Sequence, residues 1–166
     1  MDIVVRPERP EDQRALDRLM VELQDHVASL DSFGRNRPGA SFDVQEYFKN
    51  LRDKLRNGDG RIFVAESNGN VIGFVAGSVM ETSLQDLLEA FSSRDGQVHE
   101  LIVASGQRGK GVGAGLMREM EKYFSEQGCA FVKVGCFAPN TSAHDFYEKC
   151  GFQDRYVVLM KKLKAD

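Results

Sequence analysis

Ser105-Gly106-Gln107-Arg108-Gly109-Lys110-Gly111-Val112-Gly113-Ala114-Gly115 follows an apolar run at 97–103 and leads into residues whose apolar members recur at helical spacing. Glycines at such a junction let successive backbone amides converge on a ligand, because no Cβ keeps it away from the main chain. The helix that follows adds free N–H groups and the positive end of its dipole. Arg108 and Lys110 add charge at the rim. These parts make an anion site suited to a pyrophosphate. A magnesium-binding phosphate loop would need Ser or Thr after Lys110, where Gly111 stands. The spacing Gly109-x-Gly111-x-x-Ala114 meets the dinucleotide fingerprint in letters, but it lies several residues past Val103 and no acid ends the next strand.

Downstream of the loop, Val112, Leu116, Met120, Tyr123 and Phe124 form one helix stripe that stops at Gln127-Gly128. A strand is predicted over 130–137, a short helix over 142–149 and a last strand over 156–161. In the short helix Ser142 and Asp145 suit a capping box, and Gly151-Phe152 suits a glycine C-cap with its apolar follow-on. Upstream, the pattern reads as a strand at 3–5, a helix over 10–30, a breaker-rich loop at 31–41 and a helix over 44–55. Two strands, 61–66 and 71–80, flank Ser67-Asn68-Gly69-Asn70, whose Asn-Gly pair signals a type I′ hairpin. Leu84, Leu87, Leu88 and Phe91 suggest a short helix inside a long connection, 81–96, before the strand at 97–103. Hairpins mixed with crossover helices indicate one α/β domain with a mixed sheet, over residues 1–166.

Arg108-x-x-Gly111-x-Gly113 resembles the Arg/Gln-x-x-Gly-x-Gly/Ala signature of the GNAT acetyltransferase superfamily. Asn140-x-x-Ala143-x-x-Phe146-Tyr147-x-x-x-Gly151-Phe152 resembles that family's next helix. The two stand in the family's order, with a helix and a strand between them. The resemblance implies an acyl-CoA N-acyltransferase domain with a splayed central sheet flanked by helices. Residues 97–152 would form the acyl-CoA core, and 1–96 would carry acceptor-site elements.

By the same resemblance, the pyrophosphate of acetyl-CoA lies over the amides of Gln107, Arg108, Gly109, Lys110, Gly111, Val112, Gly113 and Ala114. The pantetheine arm runs beside Leu101, Ile102 and Val103. Asn140 matches a coenzyme A contact, and its place after Pro139 equally suits a turn or cap. Glu100 matches a frequent general-base position. A base is needed because an alkylamine near neutral pH is almost wholly protonated. Strand alternation would turn the adjacent His99 to the other face of the sheet. Tyr147 matches the acid that protonates the departing thiolate. Phe146 reads as packing, and His26 and His144 as surface residues.

The implied reaction is direct acetyl transfer, without metal, to a primary amine of a small molecule or peptide. A non-catalytic acyl-CoA sensor on the same fold is the alternative. The net charge of −3 argues against a nucleic-acid partner. Three cysteines without metal-ligand spacing, together with no leader-like N-terminus and no membrane-length apolar run, point to the cytoplasm. Arg35 and Arg37 could meet a substrate carboxylate, whereas Glu22, Asp25, Glu81 and Glu89 could draw in a polycation. The 81–96 connection is expected to line the acceptor pocket or to form a homodimer contact.

Overall fold

A computed structural model describes residues 2–163. Its five strands are β1 (Ile3–Pro7), β2 (Arg61–Ser67), β3 (Asn70–Glu81), β4 (Arg94–Val103) and β5 (Phe131–Val134). They lie side by side in chain order, antiparallel except for the parallel pair β4 and β5. The α-helices are α1 (Gln13–Leu30), α2 (Val44–Asn57), α3 (Val112–Glu126) and α4 (Thr141–Lys149). The α/β mixed-sheet architecture expected from the pattern is the one that forms.

Alternation along β3 explains how one strand serves two cores. Phe74 and Ala76 face α1 and α2, where they join Leu16, Leu19, Phe48, Leu51 and Ile102. Val75 and Val79 face α3 and pack with Val98, Leu116, Met120 and Phe124. Both faces are covered, so the strand reads as a nearly unbroken apolar run rather than an alternating one. Gly96 is required where α3 presses on the sheet: a Cβ there would lie 2.3 Å from Phe124. The β2–β3 turn has positive φ at both Asn68 (50°) and Gly69 (74°), as a type I′ turn demands.

Two departures from regularity create the site. β4 pairs with β5 only over Asp95–Val98 against Phe131–Val134, and beyond this the two strands part. The 130–137 strand is therefore shorter than its apolar pattern suggests. At the same level, β3 and β4 slip register: Ala76 opposes Glu100 and Gly77 opposes Val98, which leaves His99 as the extra residue of a bulge.

Three local expectations need correction. The 81–96 connection shrinks to the segment between Glu81 and Arg94, because both strands run further than their apolar cores indicate. Within it only a 3-10 turn forms, Asp86–Leu88, and Leu84, Leu88 and Phe91 are exposed, so the helical spacing buries nothing. The strand expected at 156–161 does not form: those residues have no sheet partner among the described residues, and Tyr156, Val158 and Leu159 are exposed. Ser142 and Asp145 do not make a capping box, because Asn140 is the N-cap. The glycine C-cap does form, with Gly151 at φ 91° and the Phe152 amide bonded to the Tyr147 carbonyl at 3.0 Å.

Candidate active site

The loop after β4 is shaped by two left-handed glycines, Gly109 (φ 75°) and Gly111 (φ 81°). Gly111 is the N-cap of α3 and no side chain caps that helix. The first amide to find an intrahelical partner is that of Gly115, on the Gly111 carbonyl at 3.0 Å. The amides of Val112, Gly113 and Ala114 thus open the helix with the positive end of its dipole behind them. Gly113 has a packing role as well. A Cβ there would stand 3.2 Å from the Phe146 ring, so its absence lets α4 close on α3.

The loop's cations are folded inward. Lys110 donates to the Gly106 carbonyl at 2.8 Å, and Arg108 Nε donates to the Val103 carbonyl at 3.0 Å. The Ala104 amide bonds the Ile72 carbonyl on the β3 side. Since a peptide's C=O and N–H point opposite ways, the Val103 carbonyl faces the gap left by β5, and by alternation so do the main-chain groups of Leu101. Ile102 differs: its main chain serves β3, and its side chain is buried in the α1/α2 core. Of the three strand residues, Leu101 and Val103 therefore offer polar backbone to the slot.

Glu22 and Asp25 turn out to be structural acids. Glu22 accepts from the Ser105 amide at 2.7 Å and lies 4.0 Å from Arg108, which ties α1 to the glycine loop. Asp25 accepts from the Gly39 amide at 2.7 Å, which folds the α1–α2 loop onto its own helix. Glu81 pairs with Arg94. Arg37 donates weakly to the Ser41 carbonyl at 3.4 Å, and Arg35 is exposed.

Glu100 sits where the strands part, on the α2 side of the sheet. Burial pushes its carboxyl up to about 7, against the opposing pull of a Tyr47 hydrogen bond and the Lys54 charge. The Tyr47 hydroxyl donates to Glu100 Oε1. His99 also reaches this side, contrary to simple alternation, because the bulge adds one residue between Val98 and Glu100. Its Nε2 lies 2.8 Å from Ser78 Oγ, and burial together with Lys54 holds the imidazole below its usual value.

From the opposite wall comes Tyr147, on α4. Its ring meets Phe146 and Phe152 in edge-to-face contacts, with centroids 5.4 and 5.8 Å apart. Burial holds the phenol well above its usual range, with Cys136 and Glu100 adding repulsion. Asn140 accepts from the Ala143 amide at 3.3 Å, so its capping role is realised. His144 is taken by Asp154 at 2.8 Å.

Sequence reasoning missed Tyr47 and Lys54, which it absorbed into α2. The available signal was a tyrosine within a Phe/Leu stripe, whose buried hydroxyl needs a partner.

The sequence model of the acetyltransferase (GNAT) family matches residues 26–152. An uncharacterised N-acetyltransferase of Methanocaldococcus jannaschii is 33% identical over 112 residues, covering 68% of this chain and 46% of that protein. Another, from Archaeoglobus fulgidus, is 33% identical over 105 residues, covering 63% of this chain and 66% of its own length. The chain thus spans about half to two thirds of these relatives. The structure of AAC(6')-Iy in complex with a bisubstrate analogue, CoA-S-monomethyl-acetylneamine, superposes with a TM-score of 0.69 at 16% identity, covering 99% of this chain and 100% of that one.

Proposed function

The chain belongs to the acetyltransferase (GNAT) family, and from that premise we propose that it transfers an acetyl group from acetyl-CoA to a primary amine. The observation that carries the reading is the parting of β4 and β5, with an uncapped helix at one end and Glu100 and Tyr147 beside the gap. The pyrophosphate is assigned to the amides of 107–114 and the pantetheine to the backbone of Leu101 and Val103. A ligand group bonded to the Val103 carbonyl would displace Arg108, whose guanidinium is then free to meet phosphate.

Glu100 takes one proton from the acceptor ammonium, breaking N–H and forming O–H. A carboxylate near 7 is matched to this work at neutral pH. The freed amine attacks the thioester carbon. As the C–S bond breaks, Tyr147 gives its proton to sulfur; one of the two protons left on the attacking nitrogen restores the phenol through solvent, the other stays on the amide, and Glu100 releases its proton to solvent. The raised phenol supports an acid role, since Tyr147 stays protonated until a strong base forms beside it. No separate metal step is assigned. The acceptor is an amine-bearing small molecule or peptide, and the three free cysteines agree with a reducing cytoplasmic setting.

The test is an acceptor screen followed by thiol release. Tyr147→Phe should lower kcat about a hundredfold and leave acetyl-CoA affinity near wild type. Glu100→Gln should abolish the rise of kcat/KM through pH 7. Wild-type kcat in Tyr147→Phe would remove the acid assignment. A thermal shift with NAD and none with acetyl-CoA would remove the donor itself.

A further inference from the structure

Resting on Glu100 as the base, we propose that Tyr47 is its positioning residue, a phenol on the acceptor-side helix that holds one carboxylate oxygen and turns the other toward the amine.

The geometry begins with α2. Asp43 caps this helix by accepting from the Glu46 amide at 3.0 Å, which fixes its first turn. One residue before that cap, Phe42 packs on Tyr47 with ring centroids 5.3 Å apart, and Phe48 meets Tyr47 edge-on at 6.2 Å. The two aromatic neighbours leave the phenol little freedom other than to point at β4. There its hydroxyl donates to Glu100 Oε1. Tyr47 is the hydrogen-bond donor to Glu100 among the described residues, so Oε2 has no protein partner of this kind.

The charged and titratable groups around the carboxylate come from each packed element. α2 presents Tyr47 and Lys54, and α4 presents Tyr147, on which Cys136 also acts; His99 stands next to Glu100 in the β4 bulge. Lys54 acts on Glu100 through charge alone, and His99 is bonded to Ser78. Tyr47 is the group that fixes direction. A carboxylate with one oxygen pinned cannot rotate freely, and a base whose lone pair is already aimed loses less freedom when the amine arrives. The same bond stabilises the charged form and opposes the burial that would leave Glu100 protonated at neutral pH. The phenol itself is pushed further up by burial and by the carboxylate, so it remains a donor throughout the working pH range.

The experiment needs no identified acceptor. Protein labelled with ¹³C at the glutamate side-chain carboxyl is titrated by NMR, with Glu100→Gln assigning the resonance. Wild type should show a midpoint near 7. Tyr47→Phe keeps the ring and its packing, so its melting temperature should stay close to wild type, while the midpoint moves upward by about one pH unit. A tyrosine that only packs would be silent to this change, and an unmoved midpoint overturns the proposal. With an amine from the acceptor screen, the acid limb of kcat/KM should move up by the same interval, with acetyl-CoA affinity unchanged. The two assignments fail separately. If Glu100→Gln keeps the acid limb, the base reading falls, and with it the catalytic meaning of Tyr47. If Glu100→Gln loses that limb and Tyr47→Phe leaves it in place, only the positioning role falls.

Discussion

Glu100 shows at the scale of one residue how a site and a stable fold pull against each other. Its carboxyl is raised from 4.5 to about 7 chiefly because burial disfavours the charge. The folded state therefore binds this proton more tightly than the unfolded chain does. The Glu100 contribution to stability is present below about pH 4.5, fades as pH rises to about 7, and becomes a constant penalty above that. Glu100→Gln should accordingly raise the melting temperature at pH 8 relative to wild type and change it little at pH 5, as a pH series by calorimetry would read. Equal shifts at both pH values would mean that the carboxyl is not desolvated in solution. Tyr47 and Tyr147 illustrate the complementary case, in which burial keeps a phenol protonated and so preserves a donor.

Elements set the angles at which these residues meet. The bulge at His99 and the end of β5 at Val134 fall at one level of the sheet, so the chain loses pairing on one edge of β4 just where it gains a residue on the other. Bulges commonly re-aim side chains in this way, and here two adjacent residues reach the same helix layer. The start of α3 is set by Gly111 in the left-handed region. Gly111→Ala has open space for its methyl, so its cost is conformational alone. We expect it to destabilise by about 1–2 kcal/mol, and to weaken acetyl-CoA because the strained cap turns the first amides of α3. Isothermal titration beside chemical denaturation checks both halves. Unchanged affinity would show that those amides do not bind the donor.

For the whole molecule, the sheet divides labour along its length. Glu81 and Arg94 mark the far end of the β3–β4 hairpin, six residues along β4 from Glu100 and thus roughly 20 Å away. That separation sets the segment beyond them at the opposite end of the hairpin from Glu100, where Leu84, Leu88 and Phe91 form an exposed apolar tip. Thr82 and Ser93 already close that segment, with the Thr82 amide on the Ser93 carbonyl at 3.2 Å. Replacing 83–92 with Asn-Gly should leave acetyl-CoA affinity unchanged and the fold intact. Weakened binding would place the tip in the site after all. A fall in mass by sedimentation would assign it to a contact between copies.

Much of this is legible in the amino-acid sequence. The glycine loop, its flanking strand and helix, the hairpin at Asn68-Gly69 and the C-cap at Gly151 rest on backbone preferences acting over a few residues, which the chain carries in its letters. Glu100 and Tyr147 could be singled out because the stretches that hold them resemble the GNAT family's pattern. Other features depend on contacts distant in sequence. Helical spacing at 84–91 had no surface to bury against, and the apolar 156–161 found no strand to pair with. A capping box at Ser142 lost to Asn140, two residues earlier. The side to which His99 points, the attachment of Glu22 to Ser105, and the bond from Tyr47 across 53 positions to Glu100 were decided by register and packing alone. The sequence by itself determined the glycine loop and the fold class, because local backbone chemistry and periodicity specify them. Only the tertiary structure decided which side chains of β4 share the α2 side of the sheet where the strands part, because a one-residue slip in strand pairing changes that face and no local signal records it.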